Sequence, residues 1–322
     1  MRNRNLTIDL SKYAAALMVV AIHTALFHDV SPTLNFIFIS IICRQAVPFF
    51  AVCTGYFLSR QYFAKPVSDP NVFWKHWKKI FILYAVWSLI YMVYSIPRWI
   101  EIGWFSAWAF VDYAIAACTK GAYYHLWYLW GMLCAIPLFY GILRYFHRKY
   151  WCIFAGALWL LEVSLTAYSF WLPDSLTPIV QILQNAERII CLLPLLLAGA
   201  CIHNATVLTR KKCTIGFILC FILLCTESFS LRYAGVQAIS YAVFTLPTAY
   251  FLFRALLCIS FISDKPILRR ISAINLFVYC VHPMLVEVLA KFQLCSVTHF
   301  LLAAAGSSAL GYLYVLITRK QT

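Results

Sequence analysis

Charge is what this sequence has least of. Only 11% of its 322 residues are Asp, Glu, Lys or Arg, against roughly a quarter in soluble domains, so a water-soluble globular fold is excluded. Acidic residues are scarcer still, 11 against 26 Lys and Arg, for a net charge of +15. Spread over one face, that basic excess would point to nucleic acid. It is gathered instead into short loops between apolar runs, where the positive-inside rule puts it, and no nucleic-acid partner is expected. Also lacking are the alternating ten-residue segments of a membrane β-barrel. No two of the 13 cysteines stand in a C-x-x-C pair, so neither a zinc site nor a redox motif is signalled, and no metal or prosthetic group is expected. Linkers, low-complexity stretches and internal repeats are missing too. The expectation is one integral-membrane domain over residues 1–322 with no soluble domain.

What is present is apolar length. Hydrophobic residues make up 63% of the chain and the mean hydropathy is +0.80. The runs 8–28, 34–58, 78–97, 124–145, 150–172, 187–204, 214–229, 236–259, 272–291 and 297–318 read as about ten membrane-spanning helices, since about 20 apolar residues cross a bilayer. This is an all-α polytopic membrane protein, because in lipid the backbone must satisfy its own hydrogen bonds. MRNRN at the start resembles a signal peptide, but AIHTALFHDV offers no clean cleavage site, so the first span is expected to be retained. The stretch 104–119, WFSAWAFVDYAIAACT, is short, carries Asp112 and is rich in interfacial aromatics. It reads as an interfacial or re-entrant helix. With that choice the basic clusters near 60–79, 144–149, 209–212, 264–270 and 318–320 all face the cytosol, as do both termini.

Polar groups inside apolar runs mark function by default, because each is costly in hydrocarbon. In KYAAALMVVAIHT, residues 12–24, Lys12 and His23 are eleven positions apart. They therefore share one helix face within ~20° and stand about 16 Å apart along the axis. Lys12 has a bland reading, snorkelling to the cytoplasmic surface. Arg44, in IICRQAVPFFAVCTGYFL, lies about 15 Å into the second span. It keeps its charge at any depth, so it must meet an anion, a polar cavity or a partner such as Glu162. His282 precedes Pro283, whose missing N–H leaves the Tyr279 carbonyl without its helical donor. His125 stands among aromatics at the mouth of the fourth span, and Arg188 opens the sixth. Both also fit simple interface anchoring. Arg254 reads as a snorkelling residue. Two chemistries suit such a path: transfer of a group from an anionic cytosolic donor to a hydroxyl activated by a histidine base, or transport of a small zwitterion or anion.

DLSKYAAALMVVAIHT at 9–24, RQAVPFFAVCTGYFL at 44–58, HLWYLWGML at 125–133 and the His-Pro pair in NLFVYCVHP together resemble acyltransferase family 3, bacterial integral-membrane O-acyltransferases. The resemblance covers nearly the whole chain. It implies transfer of an acyl group, acetyl foremost, from cytosolic acyl-CoA to a hydroxyl of a cell-envelope carbohydrate, lipid or small molecule, in the bacterial cytoplasmic membrane. The family pattern of a basic residue eleven positions before an essential histidine falls on Lys12 and His23. Lysine here replaces the usual arginine, keeping the charge and losing the planar fork. The second basic residue of the family falls on Arg44, with Thr54 and Gly55 in its Ser-Gly places. Lys12 and Arg44 would hold the CoA phosphates or the thioester carbonyl. His23 would act as base or acyl relay, and His125, Arg188 and His282 would line the substrate path. QNAERIICLLPLLLAGA at 184–200 resembles the branch that includes the membrane domains of vancomycin-type serine racemases. Those carry a racemase domain after the last span. Residue Thr322 ends the sequence, so racemisation is not expected, while transport of serine or a similar small amino acid stays open as the alternative.

Overall fold

A computed structural model describes residues 5–64, 70–184, 187–236, 239–259 and 266–319, and every regular element among them is helical. In chain order the helices are α1 Leu6–His23, α2 Pro32–Asn35, α3 Ala46–Tyr62, α4 Asn71–Glu101, α5 Ala107–Thr119, α6 Trp127–Tyr145 and α7 Trp151–Leu165. They continue with α8 Thr177–Gln184, α9 Glu187–Asn204, α10 Arg210–Tyr233, α11 Thr245–Leu257, α12 Pro266–Ala290 and α13 Ser296–Arg319. Six described helices are long and apolar enough to cross a membrane, or seven if Thr177–Leu183 and Arg188–Asn204, which meet at 63°, form one bent span. The other expected spans correspond to the shorter helices α7 and α11 and to Ile274–Ala290 within α12. Ile215, Ile218, Leu219, Ile222 and Leu223 lie exposed along α10, a stripe at helical spacing that water would not tolerate and acyl chains would cover. The chain is a multi-pass membrane protein.

Three expected spans differ from the helices found, each for a tertiary reason. The run 8–28 stops being helical at His23 and turns through Ala25 (φ 47°) and Phe27 (φ 71°). Asn35 Nδ2 donates to the Ala25 and Leu26 carbonyls at 3.3 and 2.9 Å, and Phe27 N–H donates to Ser296 Oγ at 3.1 Å. The run 150–172 stops at Leu165 because Tyr168 leaves the helical path to donate its hydroxyl to Glu227. Among the described residues of the run 236–259, the helix begins at Thr245. The Glu227 carboxylate accepts from Val243 N–H (2.7 Å) and Phe244 N–H (3.0 Å), placing negative charge at the N-terminus of α11, where the helix dipole favours it.

The chain forms two compact units, interleaved in sequence: residues 1–54, 163–174 and 205–322, and residues 55–162 and 175–204. In the first, α1 packs on α12 and α13 through Ala16, Val20, Val278, Val286 and Ala303. A second cluster joins Ala21, Leu26 and Cys43. Arg254, expected to snorkel, is buried instead, with its guanidinium donating to the Thr206 carbonyl (2.6 Å) and Tyr250 hydroxyl (2.8 Å). In the second unit α5 runs antiparallel along α4, tied by Tyr84 to the Ala117 carbonyl (2.5 Å) and by Tyr113 to the Ser88 carbonyl (2.7 Å). The short helix expected near 104–119 therefore lies alongside a span rather than across it. Its 13 residues reach about 20 Å, too short for a crossing. Gly55 packs directly on the α9 backbone: a Cβ there would fall 2.1 Å from the Leu196 carbonyl oxygen.

Candidate functional site

The second span is not a uniform helix. After α2 comes a π-helical segment, Phe36–Ile42, then a 3₁₀ turn, Cys43–Gln45, and only then α3. Pro48 supplies the reason for the break. It has no N–H to give the Arg44 carbonyl and its ring crowds that oxygen, so the helical bond across 44–48 is missing and a break is favoured there; at the third position of α3 the proline itself is tolerated. Arg44 thus sits where the backbone is irregular, and such π and 3₁₀ interruptions concentrate at functional sites. Its Nε is buried and has no hydrogen-bond partner.

A second proline opens α12. Pro283 frees the Tyr279 carbonyl, and the His282 ring turns back along its own helix, with Nδ1 3.0 Å from the Val278 carbonyl oxygen and within bonding range of Tyr279 as well. A carbonyl can only accept, so Nδ1 carries a hydrogen. His282 is fully buried. Its imidazole stacks on that of His23, ring centroids 5.2 Å apart and planes at 29°.

His23 is the last residue of α1, and Arg44 is close enough for its charge to act on the imidazole. Lys12 lies one level down, within hydrogen-bonding range of the Cys53 thiol. The pairs Lys12–Cys53 and His23–Arg44 set α1 antiparallel to the second span. Three of the six candidates, His23, Arg44 and His282, therefore meet in one unit. Lys12 shares their unit and the His23 face of α1, at the ~16 Å rise the spacing dictates.

His125 and Arg188 belong to the other unit. His125 is 1% exposed, boxed by the rings of Tyr91 (4.9 Å), Tyr124 (5.7 Å) and Tyr123 (5.9 Å). It is a packed residue of an aromatic cage rather than a belt residue facing lipid. Arg188 packs against Gly131 of α6 and its charge reaches the Tyr84 hydroxyl. Tyr84 and Tyr91 are seven residues apart and so line one stripe of α4.

Gln45 escaped the sequence reading, which weighed charges inside spans and passed over neutral polar groups. It is 6% exposed, follows Arg44 in the 3₁₀ turn, and its buried Oε1 has no hydrogen-bond partner. The signal was there: a carboxamide inside an apolar run is also costly in hydrocarbon. Among the described residues no group of three or more His, Cys, Asp or Glu could hold a metal ion.

His23, with the Arg44 charge on one side and the His282 ring stacked on the other, can take a proton from a hydroxyl, while the guanidinium can receive negative charge developing on a carbonyl oxygen. Comparison with known proteins bears on which chemistry this is. A family model described as an acyltransferase domain matches residues 5–316. An amino-acid racemase of Enterococcus faecalis is 27% identical over 264 residues, 78% of this chain and 35% of that protein. Another amino-acid racemase of the same organism is 31% identical over 169 residues, 51% of this chain and 23% of that protein. The chain spans about a third of the length of these curated relatives, or less. No solved structure matches.

Proposed function

The chain belongs to the acyltransferase-domain family, and from that premise we propose that it is an O-acyltransferase drawing on cytosolic acyl-CoA, acetyl-CoA foremost. The acceptor is a hydroxyl of a cell-envelope carbohydrate, lipid or small molecule. We place it in the bacterial cytoplasmic membrane, crossing about ten times with both termini in the cytosol, as the charge distribution supports.

The observation that carries the reading is the meeting of His23, His282 and Arg44 where two prolines open two helices. In the proposed reaction His23 takes the acceptor's hydroxyl proton as its oxygen attacks the thioester carbonyl. Arg44 stabilises the oxyanion of the tetrahedral intermediate, an electrostatic role of the kind that dominates acyl transfer. Collapse breaks the carbon–sulfur bond. The CoA thiolate leaves with the proton from His23, giving an ester and free CoA thiol. His282 holds the His23 ring by stacking. Lys12, toward the cytosol, meets the CoA phosphates as a point charge.

Membranes holding the protein should transfer label from acyl-CoA, and His23→Ala should abolish transfer while expression and membrane insertion persist. Full activity in that variant removes His23 as the base. A second reading, transport of serine or a similar small amino acid, draws on the broken second span, since interrupted helices build substrate sites in transporters, and on the name of the relatives. Serine counterflow into proteoliposomes without any acyl-CoA would favour it.

A further inference from the structure

Two thiols meet in the second unit, where α7 begins and α9 ends. Cys152 is the second residue of α7, and Cys201 is the fourth from the end of α9. Both are free cysteines, and their Sγ atoms lie 2.8 Å apart although 49 positions separate them in sequence. No local spacing announces such a pair. A disulfide holds its sulfurs about 2.05 Å apart, so closing one here asks for roughly 0.8 Å of approach.

Three rings hold the two helix ends together. Phe63, directly after α3, stacks on Trp151 (centroids 5.9 Å apart, planes at 26°) and on His203 (6.2 Å, 12°). Trp151 adjoins Cys152, and His203 stands two residues after Cys201, so one phenyl ring ties both thiol-bearing segments. Trp151 Nε1 also donates to the Phe146 carbonyl at 3.2 Å, and the Arg148 guanidinium lies 4.4 Å over the Phe63 ring. Held in place this way, the thiols would react in an intramolecular step with no search to make.

They differ in access. Cys152 is exposed, and the exposed basic turn of Arg148 and Lys149 just before α7 puts that helix end at the water boundary. Cys201 is only 8% exposed. An oxidant dissolved in water meets Cys152 first and finds Cys201 behind it, the arrangement of an attacking thiol with its resolving partner.

We infer that Cys152 and Cys201 form a reversible disulfide, joining α7 to α9, when a peroxide-class oxidant reaches Cys152. The Cys152 sulfur attacks one oxygen of the peroxide, the O–O bond breaks, and the other oxygen leaves as water with the thiol proton. Cys201 then attacks the sulfenic sulfur. The S–S bond forms, the S–O bond breaks, and a second water leaves with the Cys201 proton. Each sulfur gives up one electron, and the peroxide takes both. A dithiol reverses the bond by exchange. In the topology proposed above both thiols lie on the cytosolic side, where disulfides are usually transient and redox-sensing. The inference uses no residue of the proposed acyl transfer and stands apart from it.

The test treats the full chain in nanodiscs with hydrogen peroxide, blocks remaining thiols with N-ethylmaleimide, and digests the monomer band of a non-reducing gel for mass spectrometry. A peptide pair joined through Cys152 and Cys201, and lost on dithiothreitol, is the expected result. With dimedone present to trap sulfenic acid, Cys152 in the Cys201→Ser variant should label at least tenfold more than Cys201 in Cys152→Ser. Maleimide on both residues after peroxide overturns the inference, as does either sulfur joined to a different cysteine. Irreversible oxidation of Cys152 with Cys201 still alkylatable also overturns it, because the two thiols would then be neighbours without being partners. Equal dimedone labelling of the two variants refutes the order of attack.

Discussion

Replacing Arg44 by Met should make the protein more stable and nearly inactive. The reasoning starts from the guanidinium. Its Nε is buried without a hydrogen-bond partner, and an unmet buried polar group is unfavourable by about 1–3 kcal/mol. A charge deep in a span adds about 2.5–3.5 kcal/mol on insertion scales, partly offset by whatever water or anion it meets. Methionine keeps the length of the side chain, removes both penalties and packs adaptably. Because the 3₁₀ turn at Cys43–Gln45 is set by Pro48, the backbone has no reason to change. A net gain of about 1–3 kcal/mol corresponds to roughly 2–4 °C per kcal/mol in thermal midpoint for a chain of this size. Activity moves the other way: removing one oxyanion-stabilising group lowers kcat about 10²–10³-fold. The assay is paired, with fluorescence-detected thermal unfolding in one detergent and label transfer from acyl-CoA in the same preparation. A fall in midpoint with activity intact would refute the argument, because it would make Arg44 a structural ion-pair residue.

Two further outcomes follow from geometry outside the site. Gly55→Ala would put a methyl carbon 2.1 Å from the Leu196 carbonyl oxygen, so α3 and α9 must part by more than 1 Å. Overpacking of this kind costs about 1–3 kcal/mol or more, and a midpoint within 1 °C of wild type would show that the helices yield freely. Asp29 accepts hydrogen bonds from Ser296 N–H at 2.9 Å and from the Ser296 hydroxyl, which hold its carboxyl below the usual 3.8. A depressed folded-state value means that this clasp contributes fully above the unfolded carboxylate range and is lost as pH falls through the folded value. The midpoint difference between wild type and Asp29→Asn should therefore shrink below about pH 4, and a difference constant from pH 7 to pH 3 would contradict it.

Some of the site could be read directly from the letters. Lys12 and His23 on one face of α1 follow from helical periodicity, and α1 is one unbroken helix between them. Arg44 stood out as a permanent charge deep in an apolar run, and His282 as a polar group in such a run directly before a proline. Arg254 did not behave as its sequence position implied, because the Thr206 carbonyl and Tyr250 hydroxyl satisfy it in place. His125 turned out to be caged by three tyrosines, two of which neighbour it in sequence and one of which comes from α4.

By itself, then, the sequence determined that the chain lives in a membrane as helices and which polar groups pay to be there. Those are local quantities, set by run length and by transfer free energy residue by residue. It did not determine that the first span stops at His23, that the second changes helix type around Arg44, or that residues 23 and 282 stack across the intervening chain. Those outcomes were decided by side chains distant in sequence: Asn35 and Ser296 on the α1 turn, and α12 docked on α1. Packing of helices is non-local, so no window of sequence contains it.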